Sequence, residues 1–213
     1  MPTLQWEFFP ALTVLPLKHG FSLRYPRKPN QAAKEEHLLR PSLKALGLDE
    51  SIPIATAGQP HGDGIAVVKN KNQLFFPQAD GLLTDLSNLL LCIRVADCAA
   101  LYIYDPHSTA IGLVHAGKKG SHLEIVRKAL RQMTHVFGSK PSELIVQISP
   151  CIRFPHYEID FLSDIIHQLH SEGVEQIFDA GSCTACNLDR YFSYRAEKGN
   201  TGRMWAVFLK QPL

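Results

Sequence analysis

LLLCIRVADCAALYIYDPHSTAIGLVHA, residues 89–116, decides the fold. Three runs rich in β-branched and aromatic residues, LLLCIRV (89–95), ALYIYD (100–105) and AIGLVHA (110–116), are broken by Asp, Pro and small residues, the pattern of short strands. The runs are apolar throughout rather than alternating, so both faces of each strand are expected to be covered. Working outward, IAVVK (65–69), LIVQIS (144–149) and MWAVFL (204–209) add three similar strands. Two helices are interleaved. Ser121 with Glu124 fits a capping box, and Leu123, Val126, Leu130, Met133 and Phe137 follow as an apolar stripe ending before Gly138. The second helix is expected from about Asp160 to Glu172, with Phe161, Ile165, Ile166 and Leu169 apolar and Gly173 as its stop. Residues 1–50 carry Pro10, Pro16, Pro26, Pro29 and Pro41 and predict short elements, with a broken helix over 31–46. Strands alternating with helices define an α/β or layered α+β domain.

The 213 residues are 45% hydrophobic and 20% charged, the profile of one globular domain covering 1–213. Net charge is +2 and no basic run is concentrated enough for a nucleic-acid footprint. No apolar stretch approaches a membrane span. Cys92, Cys98, Cys151, Cys183 and Cys186 are too few and too irregular for a disulfide scaffold, and the first twenty residues lack a signal-peptide pattern. A reduced, cytoplasmic protein with no obligate protein partner is the expectation.

His61 lies in a Gly/Pro-punctuated loop, Cys98 at a junction between apolar runs, and His115 at a strand end. Strand ends are where side chains leave the core and converge. Two imidazoles and a thiolate would make a three-ligand zinc set with an open fourth position, lowering the pKa of a water there. Cys98 and His115 would equally serve as a nucleophile and base. A half-buried cysteine with two hydrogen-bonding histidines is the unreactive alternative. The GKKG turn (117–120) brings Lys118 and Lys119 to a helix start, a setting that favours an anion. Arg195 and Arg203 flank a Gly-containing turn that would close over an anionic or ribose-bearing ligand. Cys183 and Cys186 form a lone CTAC pair, taken as structural. ADGLLTD (79–85), with Asp80, Thr84 and Asp85, reads as a capped loop. GxGxxG, GxxxxGK[ST] and HExxH are absent, which disfavours a Rossmann dehydrogenase, a P-loop NTPase and a zincin.

HGFSLR (19–24), QPHG (59–62), ADGLLTD (79–85), ADCAALYIYDP (96–106), HAGKKG (115–120), SPCI (149–152) with HYEID (156–160), and CT (183–184) through FSYR (192–195) to TGR (201–203) occur in order. This succession resembles the laccase-domain, or multicopper polyphenol oxidase-like, family of purine nucleoside phosphorylases, some members of which are called peptidoglycan editing factors. The resemblance implies an α+β layered α/β/β/α sandwich of the cytotoxic-necrotizing-factor-like cysteine hydrolase type. It implies a metal on His61, Cys98 and His115, with Gln59, Lys118, Lys119, Arg195 and Arg203 about the substrate. The implied metal is zinc, with copper as the alternative. A multicopper oxidase would need many more ligands than one trio, so the oxidase label is discounted. The implied activities are phosphorolysis of adenosine, inosine and 5′-methylthioadenosine, and deamination of adenosine; nucleoside and phosphate are the partners. The alternatives are a zinc- or cysteine-dependent amide hydrolase acting on peptidoglycan precursors, and a non-catalytic metal-binding protein. The sequence departs from the family where members carry Trp-Arg, at Lys118 and Lys119. A lysine keeps the charge there but not the planar bidentate fork.

Overall fold

The computed structural model describes residues 3–26 and 36–212. Among them are strands β1 (Trp6–Glu7), β2 (Leu17–Ser22), β3 (Ile54–Ala57), β4 (Ile65–Val67), β5 (Phe75–Phe76), β6 (Gly81–Thr84), β7 (Leu90–Val95), β8 (Ala99–Tyr104), β9 (Ile111–Ala116), β10 (Ile145–Ile148), β11 (Gln176–Asp179) and β12 (Met204–Lys210). The helices are α1 (Pro10–Thr13), α2 (Glu36–Ser42), α3 (Lys118–His122), α4 (Ile125–Phe137) and α5 (Phe161–Ser171). The strands form two mixed sheets, ordered β1-β2-β12-β7-β3-β5 and β11-β10-β8-β9-β6-β4. The molecule is therefore a mixed α+β fold.

All six strands expected from apolar runs are present, and their burial explains the lack of alternation. On β8, Ala100, Tyr102 and Tyr104 point into the core between the sheets, while Leu101 and Ile103 join the core under α4 and α5. Both faces are dry, so every position is apolar. The Tyr102 hydroxyl crosses from β8 to the other sheet and donates to the Gly20 carbonyl at 2.9 Å. Fully buried residues of this kind, such as Leu91 and Phe208, each contribute roughly 1.5–3 kcal/mol. Against the first sheet, α1 and α2 bury Leu12 and Leu39, and a 3-10 turn over Leu43–Leu46 buries both its leucines. Pro41 lies inside α2, as the broken-helix expectation required; residues 31–35 of that segment fall outside the described residues.

Two local readings are corrected. ADGLLTD is not a loop: Gly81–Thr84 is β6, paired antiparallel with β9 and parallel with β4. Its Asp and Gly suggested a turn, but long-range pairing made the strand. Nor does Ser121 begin a helix through a capping box. It lies inside α3, and its hydroxyl donates to the Phe161 carbonyl at 3.4 Å. Glu124 takes a left-handed conformation, φ 60°, which breaks α3 from α4. The second helix follows its expectation closely. Asp160 caps α5 by accepting the Ser163 N–H at 3.1 Å, and Gly173, φ 89°, follows its end.

Candidate functional site

Strand register builds the site. In β6–β9 Gly81 faces Val114, so Asp80 and His115 come next to each other, and the His115 N–H donates to the Asp80 carbonyl at 2.7 Å. In β8–β9 Ala99 faces Ala116, so Cys98 comes opposite Gly117. A Cβ on Gly117 would lie 2.4 Å from Cys98 Sγ. Only a glycine lets the backbone pass the thiol so closely.

His61 reaches the site from the loop between β3 and β4. Gln59 fastens that loop to β7, its amide donating to the Arg94 carbonyl at 2.7 Å and accepting the Arg94 N–H at 2.9 Å. Asp80 Oδ1 accepts the His61 N–H at 3.0 Å and Oδ2 the Gly62 N–H at 2.7 Å. Gln59, His61 and Asp97 all have left-handed φ, at 58°, 61° and 80°. Such backbone costs on the order of 1 kcal/mol or more per residue and persists where surrounding bonds hold it.

One donor atom each from His61, Cys98 and His115 lies within 4.8 Å of the others. Asp80 Oδ1 is 2.8 Å from His115 Nδ1, so Nε2 is the nitrogen left for Cys98 or a metal. Burial acts to raise the Cys98 thiol, but hydrogen bonds from His115 and His61 outweigh it and hold the pKa at about 6. Burial likewise acts to lower His115, and Asp80 and the Cys98 thiolate raise it to about 9. Each group thus shifts the other toward its charged form, Cys98 toward thiolate and His115 toward imidazolium. Two imidazoles and an ionised thiol, one imidazole oriented by a carboxylate, are a donor set that fits a zinc-like ion.

The trio opens into a cleft of about 1080 Å³. Lys118, Lys119, Arg195, Arg203 and Gln59 all line it. Gln59 differs from the rest, since both ends of its amide are bound to backbone. Lys118 and Lys119 are exposed at the start of α3. Arg195 pairs with Glu158 at 2.6 Å and lies over the Tyr157 ring, and Arg203 lies over Tyr194. Cys183 and Cys186 are free thiols outside the cleft lining. Thr184 between them donates to Asp97 Oδ1 at 2.7 Å, and Asp97 Oδ2 accepts the Arg195 N–H at 2.7 Å.

Sequence reasoning missed Asp80 as the residue that orients His115. It also passed over Arg94, Asp97, Tyr157 and Lys198 in the cleft wall. Arg94 carried a signal, as the single charge within an apolar strand; Asp80, with no such signal, required the register.

A two-sheet α+β fold with a His/Cys/His cluster at its strand ends describes the class. The sequence matches the family described as multi-copper polyphenol oxidoreductase laccase over residues 28–163 and 156–211, and the chain belongs to that family. It is 30% identical to purine nucleoside phosphorylase YlmD of Bacillus subtilis strain 168 over 156 residues, 59% of this chain and 56% of that protein. The chain thus spans little more than half the length of that relative. It is also 30% identical to a purine nucleoside phosphorylase of Clostridium acetobutylicum over 179 residues, 72% of this chain and 75% of that one. Among solved structures it resembles YlmD from Geobacillus stearothermophilus, with TM-score 0.83 and 21% identity over 96% of this chain and 94% of that chain. It resembles the hypothetical protein YfiH of Bacillus licheniformis with TM-score 0.79 and 23% identity, over 92% and 93% of the two chains. These likenesses establish the fold. Among the described residues no helix is long and apolar enough to cross a membrane.

Proposed function

We propose that this chain is a zinc-dependent purine nucleoside phosphorylase, active on adenosine, inosine and 5′-methylthioadenosine and able to deaminate adenosine. The observation that carries the reading is the meeting of His61, Cys98 and His115 within one cleft that also holds Lys118, Lys119, Arg195 and Arg203. Zinc held by His61, Cys98 and His115 would supply Lewis-acid activation of water or of a departing group near neutral pH. Asp80 keeps the proton on His115 Nδ1 and fixes the ring. Lys118, Lys119 and Arg195 neutralise and orient phosphate, and Tyr157 and Tyr194, which carry the Arg195 and Arg203 guanidiniums on their rings, wall the cleft against water. A phosphate oxygen then bonds to ribose C1′ as the C1′–N9 bond breaks, and the departing purine takes a proton. In deamination, water adds at C6 and ammonia leaves. The same reading takes residues 1–213 as one cytoplasmic domain of the cysteine-hydrolase-like type.

The Asp80–His115–Cys98 relay favours a second reading, an amide hydrolase acting on cell-wall precursors. There the Cys98 thiolate would attack a carbonyl carbon and His115 would protonate the departing amine. Incubation with inosine, with and without phosphate, separates the two. The expected result is hypoxanthine and ribose 1-phosphate by mass spectrometry, only when phosphate is present. Lys119→Ala should raise the phosphate KM several-fold more than it lowers kcat. Elemental analysis should find zinc in the wild type and little in Cys98→Ala. No base release, with cleavage of a cell-wall peptide precursor, would replace the phosphorylase with the hydrolase.

A further inference from the structure

Six cations, Arg94, Lys118, Lys119, Arg195, Lys198 and Arg203, line one cleft of a chain whose net charge is only +2. The carboxylates near them do not balance this. Asp97 also lines the cleft, but its two oxygens are engaged by the Thr184 hydroxyl and the Arg195 N–H. Glu158 is shared between Arg195 at 2.6 Å and Lys118 at 3.9 Å. No ion pair among the described residues involves Arg94, Lys119, Lys198 or Arg203. Four like charges facing one concavity without counterions repel one another and raise the local anion concentration.

The cations fall into two groups, Lys118 and Lys119 together with Arg195, which Glu158 joins to Lys118, and Arg94 with Arg203 and Lys198. Lys118 and Lys119 follow β9 of the second sheet. Arg94 sits on β7 of the first sheet, opposite Trp205 of β12, with its guanidinium 5.5 Å from that ring. Arg203 immediately precedes β12, the strand paired with β7, and Lys198 lies in the turn before it. Cys98 stands in the short connection from β7 to β8, where the chain crosses from one sheet to the other. Cys98 therefore lies at the seam, and the two cationic groups, Arg195 apart, come from chain segments of different sheets. In the phosphorylase reading a single orthophosphate would occupy one of them. A neutral nucleoside would leave the other facing an uncharged ribose.

We propose that the cleft prefers, over the unphosphorylated nucleoside, a purine nucleoside 5′-monophosphate, whose phosphate is bound by Arg94, Arg203 and Lys198 while orthophosphate occupies the Lys118–Lys119 side. This deepens the phosphorylase reading and rests on it for the reaction, though not for the ligand class. A hydrogen-phosphate oxygen bonds to C1′, the C1′–N9 bond breaks with its electron pair going to N9, and the base takes up the proton that the new phosphate ester gives up. The products are free purine and ribose 1,5-bisphosphate. A guanidinium supplies the paired donors that a phosphate monoester accepts, which suits Arg94 and Arg203 to this end. The cleft volume of about 1080 Å³ accommodates a nucleotide with a second phosphate.

The test is calorimetric titration of the metal-loaded protein with inosine and with inosine 5′-monophosphate in phosphate-saturated buffer, followed by base-release assays on both. The nucleotide should bind at least tenfold more tightly. Arg94→Met, which keeps the length over Trp205, should remove most of that preference, and Arg94→Lys should restore part of it. Circular dichroism melts verify that the variants fold. Equal binding of inosine and its monophosphate overturns the inference, whether or not inosine is phosphorolysed. So does a preference that survives Arg94→Met intact. Tight, Arg94-dependent nucleotide binding without base release would uphold the ligand class and instead defeat phosphorolysis.

Discussion

Asp80 Oδ1 lies 2.8 Å from His115 Nδ1 with the carboxylate fully buried, and the same carboxylate accepts the backbone N–H groups of His61 and Gly62. One side chain thus orients two of the three candidate metal ligands, one through its ring and one through its backbone. Asp80→Asn keeps the shape but places an amide donor against donors. Each buried group left unmatched costs about 1–3 kcal/mol. Loss of a carboxylate behind a ligating histidine typically weakens metal binding 10–100-fold. The variant should show a lower melting temperature and a metal dissociation constant raised by that factor; unchanged values in both would refute the role.

Gly117→Ala tests the closeness of the β9–α3 connection to Cys98. The Gly117 backbone, φ −121° and ψ −170°, is open to any residue, so alanine introduces no backbone strain. Its Cβ would instead meet Cys98 Sγ at 2.4 Å. Sγ must rotate away from His61 and His115. The expected outcome is a metal content well below that of wild type, with a stability loss of about 1–3 kcal/mol from overpacking. Full metal occupancy in the variant would show that the thiol is not held where it is described.

His19 supplies an acid-sensitive contribution to stability away from the site. Its Nε2 accepts the Phe9 N–H at 2.8 Å, its ring stacks on Phe9, and burial lowers its pKa from 6.5 to about 4. The folded pKa is below the unfolded one, so the folded state disfavours the proton. Stability from neutral His19 is complete above pH 6.5 and is lost as pH falls from 6.5 toward 4. The full difference corresponds to about 3 kcal/mol. Chemical denaturation across this range should show the fall. His19→Gln keeps an acceptor without titrating there and should flatten it; an unchanged slope would point to other groups.

The CTAC segment should matter through its threonine rather than its thiols. Cys183→Ser with Cys186→Ser leaves the contacts of Asp97 intact, and activity should stay within a few-fold of wild type. Thr184→Val removes the hydroxyl that donates to Asp97 Oδ1 at 2.7 Å, leaving a buried carboxylate oxygen without that partner. Asp97 adjoins Cys98 and holds the Arg195 N–H, so kcat/KM should fall at least tenfold. A hundredfold loss in the double serine variant with folding retained would reverse the assignment.

The sequence by itself determined the strands whose two faces are both dry, because complete burial leaves an unbroken apolar run, as in LLLCIRV and AIGLVHA. It determined α5, where Asp160 and Gly173 act through bonds only a few residues long. Local context at a loop and at strand ends singled out His61, Cys98 and His115, and the family resemblance then matched them to a metal site. Their approach to within 4.8 Å is a product of register: Gly81 facing Val114 brings Asp80 to His115, and Ala99 facing Ala116 brings Cys98 to Gly117. The same long-range pairing made β6 out of a segment with turn-like residues. It left Ser121 facing Phe161 instead of capping a helix. Tertiary structure also brought cations from β7, α3 and the segment before β12 to one cleft and withheld carboxylates from four of them. A local pattern records only what each residue's immediate chain neighbours and solvent exposure require. Which distant groups share a cleft is settled when the sheets pair and close, and the free energy of that closure comes from the apolar core rather than from the polar residues it brings together.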